Sequence, residues 1–359
     1  LRVISSSGDP VSNADTALRD AVRSAVESSL GARVTAIEPL AAGLGLRRFV
    51  RVRLSSGPAP SLIARVEAAE DPAGRPAGVL PEPPLEPIRA LLEREGLPVP
   101  RRFGAAPGIE LLEDFGDDAL SARAGAASGP ERAALYREAC ALVPRLQRVA
   151  DPGGVAAFAR RLDAAQIAYK GELFAEHSLA SRGRVATDAE RACVRDAFAR
   201  IAAEVESAPR RLAHRDFQSA NLIVRGGAPG RRLGMIDLQG AWLAPPEYDL
   251  VCLLRDSYVE LPEREIAALF EATRAELPDR PDPERSAQRF DLLTLARKGK
   301  DHARFLDVAA RRGDRRGLAW IPTTVRHLRA AAHAARARDR AFAALADLID
   351  ALPETPCAP

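Results

Sequence analysis

The sequence predicts an α+β protein, with a small antiparallel sheet at its N-terminal end and a larger helical portion after it. Three observations carry this. Short strand-like stretches crowd the chain between residues 35 and 113, helix-like segments dominate beyond residue 117, and the 359 residues leave room for two lobes. With 47% hydrophobic and 28% charged residues the composition is that of an ordinary globular protein. The expected division is an N-lobe over residues 1–116, a helical C-lobe over 117–351 and a flexible tail over 352–359.

The elements follow in order. Residues 15–30 read as a helix, with Asn13 or Asp15 as its cap. Residues 35–39 form a first strand. A small, flexible turn at 41–46 leads into 47–54, which alternates apolar and basic residues as a half-exposed strand does. After a turn at 55–58, residues 62–66 make a third strand and complete an antiparallel meander. The stretch 69–87 is rich in proline and glycine and reads as a loop. Residues 88–95 form a helix stopped at Gly96, with Pro98 and Pro100 enforcing an extended exit. Residues 109–113 form a further strand. Helices are expected near 130–148, 155–178, 188–207, 247–258, 263–276, 284–312, 322–336 and 338–351.

One stretch carries chemistry. His214-Arg215-Asp216-Phe217-Gln218-Ser219-Ala220-Asn221 has the spacing H-x-D-x-x-x-x-N, and Met235-Ile236-Asp237 follows closely. Leu222-Ile223-Val224 leaves the loop as a strand, residues 226–230 form a turn, and Leu233-Gly234-Met235-Ile236 reads as a second strand ending at Asp237. Phosphoryl transfer needs a carboxylate to orient the attacking hydroxyl and oxygen ligands for magnesium. Asp216 fits the first role. Asn221 and Asp237 are hard oxygen donors suited to the second. The plain alternative is a polar turn in which Asp216 and Asn221 cap backbone groups.

The bulk properties exclude several classes. A net charge of +3 is too small to imply nucleic acid. The basic stretch from Arg297 to Arg340, densest up to Arg316, is a solvated helix face or lies near an anionic ligand. Cys140, Cys193, Cys252 and Cys357 are scattered, with no metal spacing, as in reduced cytoplasmic proteins. No apolar run approaches a membrane span, and the start of the chain has no signal-peptide core. A monomer is expected.

Placed on this architecture, the motif resembles the aminoglycoside phosphotransferase and choline kinase superfamily, small-molecule kinases with a two-lobed protein-kinase-like fold. Leu212-Ala213-His214-Arg215-Asp216-Phe217 is similar to the family's catalytic loop, Ile236-Asp237-Leu238-Gln239 to its magnesium motif, and Pro245 to Leu250 to the helix start that follows. Residues 96–100 and 111–116 resemble the approach to the nucleotide hinge and the hinge itself. His-Arg-Asp at 214–216, Gln239 and residues 248–258 are most similar to bacterial anomeric sugar kinases. Those phosphorylate the 1-hydroxyl of N-acetylmuramate and N-acetylglucosamine in cell-wall recycling. That branch usually has His at Gln218, Arg at Ala220 and Asp at Gly240, so the chemistry is better matched than the acceptor.

The resemblance implies further roles. ATP or GTP with Mg2+ would be the cofactors, and the nucleotide would lie between the lobes. Gly43, Gly45, Arg47 and Arg48 would cover the phosphates, and Arg65 would contact them, with Glu86 as its acid. Glu113 and Phe115 would offer backbone groups to adenine. Gln218, Gln239, Arg255 and Asp256 are candidate sugar contacts, the last two being alternatively a helix-surface pair. His214 and Asp249 would brace the loop. Rival readings are phosphorylation of an aminoglycoside and a silent nucleotide-binding protein.

Overall fold

Alternation of apolar and polar residues builds a five-stranded antiparallel sheet. The computed structural model describes residues 13–40, 47–67, 82–226 and 232–355. Helix α1 (Asn13–Leu30) precedes strands β1 (Val34–Pro39), β2 (Arg48–Leu54) and β3 (Ser61–Val66). Helix α2 (Leu85–Arg94) follows, then β4 (Arg102–Ala106) and β5 (Ile109–Glu113). The strand order is β1-β2-β3-β5-β4, so the predicted meander is present and β5 pairs with β3. Strand β4 was not anticipated. It begins at Arg102, after Pro98 and Pro100, which made the whole stretch read as an extended exit from α2.

By contacts the chain divides into two compact units. The first comprises Leu1–Ala77, Pro98–Ala119 and Ile223–Ile236. Its core joins Val22 and Val26 of α1 to Val50, Val52, Leu62, Ala64 and Leu111 of the sheet. Burial of these aliphatic side chains is the main driving term. The basic alternation of β2 is not simply a wet face. Arg51 is buried, and its guanidinium donates to Asp114 (2.6 Å) and Asp117 (2.7 Å). These ion pairs anchor the segment after β5 to β2.

The second unit comprises Gly78–Leu97, Leu120–Leu222 and Asp237–Pro359, and is mainly helical. Helix α2 belongs to it rather than to the sheet unit. Its helices continue with α3 (Leu120–Ala126), α4 (Gly129–Gln147), α5 (Ala156–Ala159), α6 (Ala164–Leu173) and α7 (Asp188–Ser207). Strands β7 (Leu222–Val224) and β8 (Leu233–Met235) pair with each other and fall almost wholly in the first unit, whereas β6 (Arg211–Ala213) and β9 (Trp242–Ala244) pair within the second. Helices α8 (Tyr248–Leu254), α9 (Glu263–Arg274), α10 (Pro283–Arg312), α11 (Ile321–Arg338) and α12 (Ala343–Asp350) complete it.

Several boundaries follow local chemistry. Helix α7 spans the predicted residues and opens on a full capping box between Thr187 and Glu190. The single helix expected over 155–178 is broken instead. Arg160 is extended, Asp163 caps α6, and a π-turn at Phe174–Ser178 ends the segment. The helix expected over 247–258 ends at Leu254, and the last predicted helix is cut by a 3-10 turn at Arg340–Phe342. The tail does not fray through Glu354. Leu352 is buried, its carbonyl accepts from Arg329 (2.7 Å), and Glu354 accepts from Arg326 (2.9 Å) and Arg329 (2.8 Å). Among the described residues no helix is long and apolar enough to cross a membrane.

Candidate active site

Strand β6, paired with β9, delivers the chain into the loop His214 to Asn221. The loop closes on itself. The Asp216 carbonyl accepts from the Gln218 N–H and from Asn221 Nδ2 (both 2.9 Å), and the Gln218 carbonyl accepts from the Asn221 N–H (2.9 Å). Two buried carboxylates hold it from behind. Asp249, in the first turn of α8, accepts from the backbone N–H of His214 (2.7 Å) and Arg215 (3.1 Å). Asp256 accepts from the N–H and hydroxyl of Ser219 and from the Tyr258 N–H (3.1 Å). Helix α8 is buried along its whole length, which makes it a rigid support.

The front of the loop carries Asp216. Its Oδ1 accepts from Arg297 Nη1 at 2.8 Å, and the same nitrogen donates to the Arg215 carbonyl at 2.9 Å. Arg297 also reaches Asp301 (3.1 Å) and Gln218 Oε1 (3.3 Å). The other oxygen, Oδ2, has the Arg215 guanidinium at 3.9 Å. Burial alone would raise the Asp216 carboxyl. The charges of Arg297, Arg215 and Lys300 and the Arg297 hydrogen bond outweigh it, so the group is held well below the usual carboxylate range.

Asp237 lies on the same unit, in left-handed backbone at φ 67°, and Gln239 Nε2 donates to its Oδ1. Its side chain is solvent-accessible, yet the protein packed around it and the negative charge of Asp216 raise its carboxyl. A cation beside it would reverse that tendency. Asn221 commits its amide nitrogen to the loop and leaves Oδ1 without a donor among the described residues.

The remaining expected residues divide. Gln218 and Gln239 stand beside Asp216 and Asp237 as described. Gln239 also donates to Glu82 (3.3 Å). His214 is buried with its ring edge toward Phe217. Arg255 and Asp256 are not a surface pair. Both are buried, Arg255 is bound to Glu263, and Asp256 braces Ser219. Arg297 and Lys298 are buried too, which corrects the solvated-face reading of the start of the basic run. In the sheet unit, Arg65 is bound by Glu67 and by Glu110 (2.8 Å), acids the sequence did not single out. Glu86, the acid expected for it, is held by Arg89 on its own helix (2.6 Å). Arg48 is directed to Asp15 of α1, and Arg47 to Glu67 (3.4 Å). The Glu113 side chain pairs with Arg225 (3.0 Å), whose guanidinium sits 4.0 Å over the Phe115 ring. Gly43 and Gly45 lie outside the described residues.

Sequence reasoning missed that Arg297 binds Asp216 and reaches the Tyr248 hydroxyl (3.5 Å), and that Asp256 braces the loop at Ser219. The available signal was Arg297, Lys298 and Asp301 at helical spacing, a charge cluster flanked by apolar residues that would bury it.

The braced loop thus presents one ionised acid, an amide oxygen and a second acid on one unit. Residues 38–287 match the phosphotransferase enzyme family named APH, and the chain belongs to it. A curated relative, N-acetylmuramate/N-acetylglucosamine kinase of Neisseria meningitidis, is 26% identical over 221 residues. That match covers 61% of this chain, which spans only 61% of that relative's length. Among solved structures, choline kinase LicA from Streptococcus pneumoniae superimposes with a TM-score of 0.62 at 15% identity, covering 88% of this chain and 99% of that one. LicA in complex with AMP gives 0.60 at 15% identity, covering 89% and 99%. The gentamicin complex of APH(2")-IIa gives 0.56 at 15% identity, covering 88% and 96%. These structures share the kinase-like fold with this chain.

Proposed function

We propose that this protein transfers the γ-phosphoryl group of ATP to a hydroxyl of a small sugar, the anomeric 1-hydroxyl of N-acetylmuramate or N-acetylglucosamine. The observation that carries the chemistry is Asp216. Its carboxylate is held ionised by Arg297 through one oxygen, while Oδ2 has no hydrogen bond among the described residues and is left for a substrate hydroxyl. The acceptor oxygen attacks the γ-phosphorus, the bond from that phosphorus to the β-γ bridging oxygen breaks, and the hydroxyl proton passes to Asp216. Positioning supplies most of the rate, and Asp249 and Asp256 serve it by fixing the loop backbone.

Asn221 and Asp237 suit magnesium, which commonly takes one or two protein oxygens and completes its shell with phosphates and water. Bound there, the ion would neutralise the phosphates. Glu113 and Phe115 have side chains occupied within the sheet unit, in keeping with a contribution to adenine through backbone alone.

The acceptor reading draws on the N. meningitidis relative. An aminoglycoside is a polycation and would meet Arg215, Arg297 and Lys300 around Asp216, which disfavours it. The activity would place the chain in the cytoplasm, in recycling of cell-wall sugars. ADP release from ATP and Mg2+ across a panel of amino sugars and aminoglycosides tests the acceptor. Asp216→Asn should lower turnover by about a thousandfold or more while nucleotide affinity holds. A near-normal rate in that variant would sink the assignment.

A further inference from the structure

Along strand β9, which pairs with the strand leading into the Asp216 loop, the second unit gathers more positive charge than the transfer step uses. Lys170 of α6 is only 5% exposed, and its ammonium lies 5.8 Å from the Trp242 ring centroid. Among the described residues it has no carboxylate and no hydrogen-bond acceptor. The Arg215 guanidinium lies 5.0 Å over the same ring. Arg160 is tied to β9 through its carbonyl, which accepts the N–H of Leu243 at 2.8 Å. Both terminal guanidinium nitrogens of Arg160, and Nε1 of Trp242, are buried donors with no acceptor among the described residues. Lys300 adds a further charge within the field of Lys170.

The nearby acids do not neutralise this set. Asp301 is already shared by Arg297, Lys298 and Lys300, and Asp216 is taken by Arg297. Among the described residues Glu82 is the acid that supports Arg160, whose guanidinium is lowered by burial first and by Arg215 next. Burial, then Lys300, Arg297 and Arg215, pull the Lys170 ammonium well below its ordinary value. Buried donors without partners and crowded like charges are both costly, and such groups call for an explanation in a ligand. A planar, buried guanidinium with both terminal nitrogens unused is the geometry that takes a carboxylate in two parallel hydrogen bonds.

We infer that Arg160 and Lys170 receive an anionic substituent of the acceptor, a carboxylate, while the acceptor's hydroxyl faces Asp216. This rests on the kinase reading above and narrows it. Of the two sugars, N-acetylmuramate carries such a carboxylate on its lactyl ether and N-acetylglucosamine does not. A phosphate group shares the chemistry and forms a separate arm of the test.

The experiment measures ADP release for paired acceptors: N-acetylglucosamine with N-acetylmuramate, the methyl ester of N-acetylmuramate, and glucose with glucuronate and glucose 6-phosphate. The wild-type protein should favour the carboxylate member of the pair it accepts by about tenfold or more in kcat/KM. Arg160→Gln should collapse that ratio, chiefly through KM, and Lys170→Met should do the same, provided its circular dichroism matches wild type. Equal use of acid and ester, or a ratio that both variants retain, overturns the inference. Preference for glucose 6-phosphate over glucuronate replaces the carboxylate with a phosphate and overturns the stated form. Turnover confined to the glucose set refutes the amino-sugar proposal while still deciding this one. If no acceptor is turned over, the function proposal fails. Calorimetry with N-acetylmuramate then judges the site, and no binding, or binding that Arg160→Gln retains, refutes it.

Discussion

Replacing Arg297 with methionine tests how the loop keeps its base ready. In the wild-type protein Arg297 gives Asp216 Oδ1 a 2.8 Å hydrogen bond and a full charge from a buried position. Methionine keeps the volume of the stem and removes both. Charges about 4 Å apart at an effective dielectric of about 20 interact by about 4 kcal/mol. Each 1.4 kcal/mol moves a titration by about one pH unit. Since Asp216 retains some solvent contact, screening trims the effect, and a rise of about 2 to 3 pH units is expected. The sign follows from the direction of the native shift. A lowered Asp216 is ionised at every working pH and contributes stability that is lost only on strong acidification. Without Arg297, burial is opposed only by Arg215 and Lys300.

The assay is the pH dependence of kcat/KM for the acceptor. Wild type should show no acid limb from Asp216 within the working range, whereas Arg297→Met should show one brought up to the ordinary carboxylate range. Arg297→Lys keeps the charge but loses the fork that also binds the Arg215 carbonyl and Gln218, so its limb should move little while kcat falls. Breaking a pair with one buried member should also cost about 3 kcal/mol of stability, read in a denaturant titration. An acid limb that stays in place in the methionine variant, with only kcat reduced, would refute the electrostatic argument.

Three further outcomes follow. Asp237→Asn should remove magnesium-dependent turnover yet leave the melting temperature unchanged or higher, because asparagine tolerates φ 67° and the repulsion from Asp216 disappears; a clear loss of melting temperature counts against it. Burial raises Asp249 to about 6 despite its two backbone hydrogen bonds, so the folded state binds its proton more tightly than the unfolded chain does. Stability from this group is therefore greatest below about pH 4 and declines by at most ~3 kcal/mol up to about pH 6; Asp249→Asn should remove that slope from the difference between urea midpoints at pH 4.5 and 6.5. Gly234→Ala should cost about 1–3 kcal/mol by overpacking, since its methyl would sit 2.6 Å or less from Phe115 ring carbons; a neutral melting temperature would refute this.

The sheet meander was legible because each strand alternates over several residues and one face meets α1. The spacing of the candidate site was legible because Asp216, Asn221 and Asp237 sit on one short stretch. What could not be read was long-range polar pairing. Nothing local to Arg297 says that its guanidinium meets Asp216, 81 positions earlier. Asp256 read as a sugar contact or half of a helix-surface pair because helix α8 was drawn four residues too long; the observed end at Leu254 turns that side chain inward to Ser219. Arg65 was correctly expected to need a partner, but Glu110 arrives through the register of β3 against β5, which pairs those two residues directly. Register is a tertiary result, set by turns and packing.

The strain in the loop ties these observations together. Arg215 has φ 78° and Asp237 φ 67°, conformations that cost non-glycine residues about 1–3 kcal/mol each unless the surroundings enforce them. The enforcement at Arg215 is visible on every side of its peptide groups. Asp249 takes its N–H, Arg297 donates to its carbonyl, and the Cys252 thiol donates to the same oxygen at 3.3 Å. These are buried groups on two different helices, α8 and α10. The strained turn is thus set by the packing of those helices and not by the loop's own sequence. It follows that Arg215→Gly, which relieves the backbone strain, should not loosen Asp216 through the backbone. It should act through the lost guanidinium, which contributes charge to Asp216 and to the cluster around Trp242. Its effect should accordingly appear in acceptor KM and in the pH profile, with the loop's hydrogen-exchange protection retained.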